Sequence, residues 1–161
     1  PDVFQGCEIG RLAVVDPDNR RPVDWTDRAL RLSRVLEDEP CFDLDDDKIR
    51  VTALALRTRR EHPEAFVGPD ASYAGLATTS EHALAFTRGD ADGPYAVTVV
   101  TRAAGRLAEA GGFGDATVDV PPGRWRDVLA GRSLTVAGEA VSLADLLAER
   151  PVALLVREDA A

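Results

Sequence analysis

The spacing of the apolar residues changes near residue 70, and this change constrains the fold more than any other feature of the chain. Before it, four apolar residues recur at the spacing of an amphipathic helix: Trp25, Ala29, Leu32 and Leu36. After it, apolar and polar residues alternate in four short runs: Leu84 and Phe86; Tyr95, Val97 and Val99; Val118 and Val120; Leu134 and Val136. Helices followed by alternating strands predict an α+β chain that ends in an antiparallel β-domain.

The first part of the chain contains signals for two helices. Asp24 or Thr26 can cap the first helix, and Pro40 ends its pattern. A second helix is predicted from about residue 46 to residue 62, with Pro63 beyond its end. The apolar faces of these helices have no partner element in the first part of the chain. We therefore expect them to form an exposed apolar patch when this part stands alone.

The β-domain is predicted to begin after residues 63–72, where proline, glycine and a loss of helical periodicity coincide. We accordingly divide the chain into residues 1–66 and residues 67–161. Ser142 and Asp145 resemble a capping box that opens a short helix. The last strand, residues 152–156, is apolar on both faces, which predicts a central position in the sheet.

An acidic run, Asp43-Leu44-Asp45-Asp46-Asp47, suggests a calcium site because hard cations prefer clustered carboxylates. The run lacks the glycine and the distal glutamate of an EF-hand loop. It lies at the predicted start of the second helix, and Arg57, Arg59 and Arg60 lie near the end of that helix, so both ends complement the helix dipole. This arrangement favours a structural role, and we expect no metal ion.

Composition and isolated residues narrow the function classes. A net charge of −9 argues against a nucleic-acid partner, and no apolar run approaches the roughly 20 residues of a membrane span. His62 and His82 have no catalytic or metal-ligand partner at a diagnostic spacing, which favours structural roles. Trp125 follows a turn and is either a core residue or a surface on which a sugar ring stacks.

The first eight residues have the pattern of a barrel strand that ends at an active site. A short apolar stretch, Val3 and Phe4, breaks at Gly6. Gln5 and Glu8 follow the apolar pair, where polar side chains at the catalytic face of a (β/α)₈ barrel are expected.

The segment from Val15 to Trp25 is predicted to be an exposed, stiff loop. Its eleven residues include two prolines, three aspartates, one asparagine and two arginines, too polar for a core and too rich in proline for a helix. Amide and guanidinium groups suit hydrogen bonds to sugar hydroxyls, but they can equally pair with carboxylates inside the loop. Both interpretations apply to Asp18, Asn19, Arg20 and Arg21.

Phe4-Gln5-Gly6-x-Glu8 together with the segment from Val15 to Asp24 resembles the α-amylase family of glycoside hydrolases. The resemblance continues at lower specificity to residues 151–155. It implies that residues 1–66 are the remnant of a (β/α)₈ barrel, comprising its last strand, an active-site loop and closing helices, followed by an antiparallel β-sandwich. Since a complete barrel needs roughly 250 residues, we expect this 161-residue chain to be a C-terminal piece.

The resemblance also implies which residues take part in function. The three catalytic carboxylates of the family come from earlier barrel strands, so we expect none of them in this chain. The residues expected to face the substrate cleft are Gln5, Glu8, Asp16, Asp18, Asn19, Arg20 and Arg21. No cofactor is implied. The implied partners are a malto-oligosaccharide substrate and the upstream part of the barrel, and the implied compartment is the cytoplasm.

The reaction implied for the parent enzyme is an intramolecular transglycosylation. It converts the reducing-end α-1,4 linkage of a malto-oligosaccharide into an α,α-1,1 linkage through a glycosyl-enzyme intermediate. Another reaction on α-glucosides within the same family, such as hydrolysis, stays open. From a different class, the chain can be a non-catalytic β-sandwich module that binds oligosaccharide or stabilises the barrel; an exposed row of aromatic residues would favour binding.

Overall fold

The computed structural model describes residues 6–10 and 22–158 of the chain. These residues fall into two compact units, and the boundary along the chain lies between Arg57 and Thr58. The sequence suggested a later boundary, between residues 66 and 67. In its described residues the first unit contains helix α1 (Trp25–Leu36) and most of helix α2 (Leu44–Glu61), and no strand. The expected barrel strand at Val3 and Phe4 lies outside the described residues.

Both predicted helices are confirmed, and their ends show why they form. Oδ1 of Asp24 accepts a hydrogen bond of 3.0 Å from the backbone N–H of Asp27 and so caps α1. Helix α2 has three aspartates in its first turn and two arginines in its last, which complement its dipole. Val35 of α1 and Ile49 of α2 are buried.

The second unit is built on a six-stranded antiparallel sheet. Its strands are ordered β1-β2-β3-β8-β5-β6. Their bounds are β1 Ser72–Leu76, β2 Ala83–Asp90, β3 Gly93–Thr101, β8 Val152–Arg157, β5 Gly123–Asp127 and β6 Arg132–Val136. The prediction that the last strand is central is confirmed, because β8 pairs with β3 on one side and β5 on the other.

A smaller layer completes the core of this unit. It consists of a two-stranded sheet, β4 (Thr117–Val118) with β7 (Val141–Ser142), and helix α4 (Leu143–Leu146). Val118 and Leu143 of this layer are buried in the same cluster as Val97, Trp125 and Leu155 of the large sheet. The unit is therefore an antiparallel sheet with few helices.

The second layer is smaller than the full second sheet of the predicted sandwich. Strand β4 ends at Val118 although the alternation continues to Val120. Pro121 and Pro122 follow directly and have no backbone N–H to donate, so the ladder cannot extend. The predicted cap of α4 is confirmed, because Oγ of Ser142 accepts a hydrogen bond from the backbone N–H of Asp145.

Two further short helices connect the elements of this unit: a 3₁₀ helix, Pro63–Ala65, before β1, and α3 (Ala104–Glu109) after β3. In the part of the chain that the structure describes, no helix has both the length and the apolar character needed to cross a bilayer.

Candidate functional site

Of the seven residues expected to face a substrate cleft, the structure describes one, Glu8. The other six, Gln5, Asp16, Asp18, Asn19, Arg20 and Arg21, lie outside the described residues. The site can therefore be built from residues 6–10, which carry Glu8, and from the helices that hold this segment in the first unit.

Helix α1 holds the segment through Arg28. One terminal nitrogen of Arg28, Nη2, donates a hydrogen bond of 2.6 Å to the carbonyl oxygen of Gly6. The other, Nη1, donates a bond of 2.9 Å to the carbonyl oxygen of Asp24. The third guanidinium nitrogen, Nε, lies 3.4 Å from Oε2 of Glu8. One side chain thus contacts the predicted strand end, the cap of α1 and the expected substrate-facing carboxylate.

Helix α2 holds the other end of the segment. Oδ1 of Asp45 accepts a hydrogen bond of 2.6 Å from the backbone N–H of Gly10. Nζ of Lys48 donates a bond of 3.1 Å to the carbonyl oxygen of Ile9. The sequence placed Asp45 in the acidic run at the start of α2 but did not predict either contact with residues 9 and 10, although Lys48 is the single lysine of the chain.

The Glu8 carboxylate is only partly shielded from solvent. Its side chain is 36% exposed and that of Arg28 is 13% exposed. The facing atoms, Oε2 of Glu8 and Nε of Arg28, are themselves buried and have no hydrogen-bond partner among the described residues. A carboxylate oriented in this way can accept hydrogen bonds from the hydroxyl groups of a sugar.

Gly6 packs closely against Val23, so the chain before and after the segment between these two residues comes together here. Gly6 has a φ of 86°, a conformation that favours glycine. A Cβ atom at this position would lie 2.6 Å from Cγ2 of Val23, so the close approach also requires glycine. The structure thus explains the break in the apolar stretch at Gly6.

The acidic run has the structural role that the sequence favours, because two of its carboxylates pair with arginines of α1. Nη1 of Arg31 lies 2.8 Å from a carboxylate oxygen of Asp43 and 2.7 Å from one of Asp46. Arg34 donates to the same oxygen of Asp46 at 2.9 Å. The hydrogen bond to Asp43 is the main influence that raises the pKa of Arg31. The pKa of Asp43 is lowered, first by the backbone N–H of Asp46 and then by Arg31.

A second polar cluster, missed by sequence reasoning, lies in the β unit around His62. Nε2 of His62 lies 3.0 Å from Oδ2 of Asp90, and Nδ1 lies 3.2 Å from Oε1 of Glu64. The imidazole ring stacks on Tyr95 at a centroid distance of 3.9 Å. One ligand atom from each of His62, Glu64 and Asp90 falls within 4.8 Å of the others, so the group has the size of a metal site. Both ring nitrogens already face carboxylates, which also suits a structural ion pair.

The stacking role considered for Trp125 is wrong. Its side chain is fully buried, and Nε1 donates a hydrogen bond of 2.9 Å to the carbonyl oxygen of Pro121. The guanidinium of Arg157 covers the ring at 5.3 Å. The exposed aromatic side chain of the large sheet is instead Tyr73, whose ring lies 5.2 Å from that of Phe86.

Comparisons of sequence and of structure both match this chain to proteins named as maltooligosyltrehalose synthase. No family model matches the chain. Proteins from two strains of Mycobacterium tuberculosis, both named as maltooligosyl trehalose synthase, are 40% identical to it over 162 residues. The alignment covers 99% of this chain and 19% of each relative.

Two solved structures of maltooligosyltrehalose synthase from Arthrobacter ramosus, one of them of a point mutant, match with a TM-score of 0.84 and 40% identity. Each match covers 98% of this chain and 20% of the enzyme. The chain thus spans about a fifth of the length of the proteins it matches. In sequence and fold this chain is therefore similar to the C-terminal part of maltooligosyltrehalose synthase.

Proposed function

We propose that this chain is the C-terminal part of an enzyme that converts the reducing-end α-1,4 linkage of malto-oligosaccharides into an α,α-1,1 linkage. The observation that carries the proposal is 40% identity along 99% of the chain to relatives named for this activity. From the resemblance alone we assign the parent enzyme to trehalose biosynthesis in the cytoplasm.

The proposed mechanism is a double displacement without a cofactor. A carboxylate nucleophile opens the α-1,4 linkage, a glycosyl-enzyme intermediate forms, and the released glucose turns within the cleft. Its anomeric hydroxyl then attacks in place of water, so the cleft must exclude water until this step is complete. We assign the nucleophile, the acid/base and the third carboxylate to the upstream part of the parent, and we expect this chain alone to be inactive.

Within the parent, we propose residues 1–66 as the end of the (β/α)₈ barrel and residues 67–161 as the β-domain. The exposed apolar side chains of the first unit support this role. They are Trp25, Leu30, Leu32, Leu36, Phe42, Leu44 and Leu56, between 38% and 77% exposed. Apolar faces of this extent indicate a missing packing partner, and the upstream barrel would supply it. Residues 58–66 fold with the β unit in this structure.

We propose that the seven site residues line the cleft wall that retains the released glucose. Glu8 supports this assignment, because its carboxylate is partly exposed and held from behind by Arg28. We assign the other six, Gln5, Asp16, Asp18, Asn19, Arg20 and Arg21, from their positions in the resembled motifs.

A chimera tests the proposal. The C-terminal fifth of the Arthrobacter ramosus enzyme would be replaced by this chain and incubated with maltopentaose. We expect a non-reducing product that ends in a trehalose unit, whereas the Arthrobacter enzyme truncated before the junction should form none. A chimera that is folded by circular dichroism but releases only glucose and shorter maltodextrins would contradict the assigned reaction.

A non-catalytic sugar-binding module is the second candidate, and one observation favours it. Tyr73 is 62% exposed on the edge strand β1 and packs against Phe86 with the two rings tilted by 33°, which offers an aromatic surface to a sugar ring. Titration of the purified chain with maltoheptaose tests this role. Binding that is lost in Tyr73→Ala and kept in Trp25→Ala would support a module; absence of binding would reject it.

A further inference from the structure

Arg28 contacts both ends of the chain segment that separates the predicted strand end from α1. Its hydrogen bonds reach the carbonyl oxygens of Gly6, before this segment, and Asp24, after it, at 2.6 and 2.9 Å. Both acceptors are backbone groups, so Arg28 fixes the positions of the two chain ends directly. The packing of Val23 against Gly6 brings the same two ends together without charge.

The planar guanidinium makes this arrangement specific to arginine. Its two terminal nitrogens donate in fixed directions to Gly6 and Asp24, while Nε lies 3.4 Å from Oε2 of Glu8 without a hydrogen bond. A lysine at this position has one ammonium group, which cannot donate to two separated carbonyl groups and also face Glu8. The side chain is 13% exposed and its bond to Gly6 is partly buried, so solvent competes little for that bond.

The position of Arg28 in α1 gives the arrangement a rigid base. Arg28 lies four residues after Asp24, one turn into the helix that Asp24 caps. The carbonyl oxygen of Asp24 also accepts the backbone N–H of Arg28, at 3.5 Å. The helix therefore holds one end of the segment, and the guanidinium ties the other end to it.

We infer that Arg28 is a positioning residue of the parent enzyme, which holds the backbone of Gly6 against the start of α1 and thereby places the nearby Glu8. This inference rests on the proposed function. Loss of the contact would misplace Glu8, which is proposed to help retain glucose, so water would compete with glucose for the glycosyl-enzyme intermediate. An error of about 1 Å in such a position can change rates by about a hundredfold.

The test measures the products of the full-length parent and three variants with maltopentaose. Arg28→Ala is expected to raise the ratio of released glucose to non-reducing product by about tenfold or more, and Arg28→Lys to raise it less. Arg34→Ala is the matched control. Arg34 lies on the same helix and donates to Asp46, but no described contact joins it to residues 6–10. Thermal unfolding of each variant separates lost stability from a changed product ratio.

Each outcome decides one question. A raised ratio in Arg28→Ala and an unchanged ratio in Arg34→Ala, at similar melting temperatures, supports the positioning role. An unchanged ratio in a folded Arg28→Ala variant overturns it while leaving the proposed function intact. An unmutated parent that forms no non-reducing product overturns the proposed function, and this role with it.

Discussion

Oδ1 of Asp46 lies 2.7 Å from Nη1 of Arg31, and this pair joins the start of α2 to α1. The same oxygen accepts a hydrogen bond from Arg34, and Oδ2 accepts one from the backbone N–H of Phe42. The Asp46 side chain is 4% exposed. This buried carboxylate therefore links α1 to the start of α2 and to the residues just before it.

Asp46→Ala is therefore expected to destabilise the chain by about 3 kcal/mol, because it removes a buried carboxylate that accepts hydrogen bonds from Arg31, Arg34 and the backbone N–H of Phe42. Urea unfolding followed by circular dichroism measures the change. Asp70→Ala is the control, since Asp70 is exposed, and it should shift the free energy of unfolding by less than about 0.5 kcal/mol. Equal effects of the two substitutions would show that the pairing is unimportant.

Gly89→Ala is expected to destabilise the β unit by about 1–3 kcal/mol, because the new Cβ would overlap the carbonyl oxygen of Gly93 across the hairpin. Gly75→Ala is the matched control in strand β1, where nothing lies within 4 Å of the added atom. The midpoints of thermal unfolding compare the two. The interpretation fails if Gly89→Ala is as stable as Gly75→Ala.

Trp125→Ala is expected to cost about 3–5 kcal/mol, because it empties a fully buried site and removes the bond to Pro121. Trp125→Phe should cost less, since most of the ring contacts remain. Trp25→Ala changes the same residue type at a position that is 54% exposed and serves as the control. Denaturant unfolding measures all three; a neutral Trp125→Ala would contradict the burial.

The stability of the β unit is expected to depend on the ionisation of Asp90. Its pKa is lowered from the ordinary 3.8, first by the backbone N–H of Asp92 and then by His62. A carboxyl whose pKa is lower in the folded state stabilises that state above its ordinary pKa, and this stability is lost as the pH falls further. The stability difference between the unmutated chain and Asp90→Asn should shrink as the pH is lowered from about 5 to about 2.

The exposed neighbour Asp92 provides the control for this titration. Asp92→Asn keeps the backbone N–H that Asp90 accepts and should leave the pH dependence unchanged. Thermal unfolding across the same pH series measures both variants. A constant difference between the unmutated chain and Asp90→Asn would rule out the assigned role of Asp90.

Substitution of Arg20 or Arg21 by alanine in the full-length parent should raise hydrolysis relative to isomerisation. The proposed reason is the loss of cleft-wall groups that hold glucose while water is excluded. Chromatographic product ratios with maltopentaose measure the effect, and Arg102→Ala in the β unit is the control. Ratios that equal those of the unmutated parent would remove both arginines from the cleft.

Local signals in the sequence predict much of the fold. Asp24, Ser142 and the acidic start of α2 mark helix ends because capping acts over three or four residues. Residues 152–156 of β8 are apolar on both faces of the strand. This pattern predicts a central position in the sheet, because both faces of a central strand are covered. The small second layer was less predictable, since the prolines after β4 override an apolar alternation that continues.

The contacts of the candidate site were not predictable, because they join residues far apart in the chain. Arg28 reaches Gly6 across 22 positions, and His62 reaches Asp90 across 28. Spacing along the chain carries no signal for such pairs. The opening motifs carry the resemblance to a known family, but they did not indicate which helix residues hold residues 6–10.

The most direct test of the central claim is to incubate this purified chain, and separately its full-length parent, with maltopentaose. Chromatography would resolve the non-reducing, trehalose-terminated product from glucose and shorter maltodextrins. We expect the non-reducing product from the parent and no turnover by this chain alone. Turnover by the chain itself, or a parent that only hydrolyses maltopentaose, would contradict the claim.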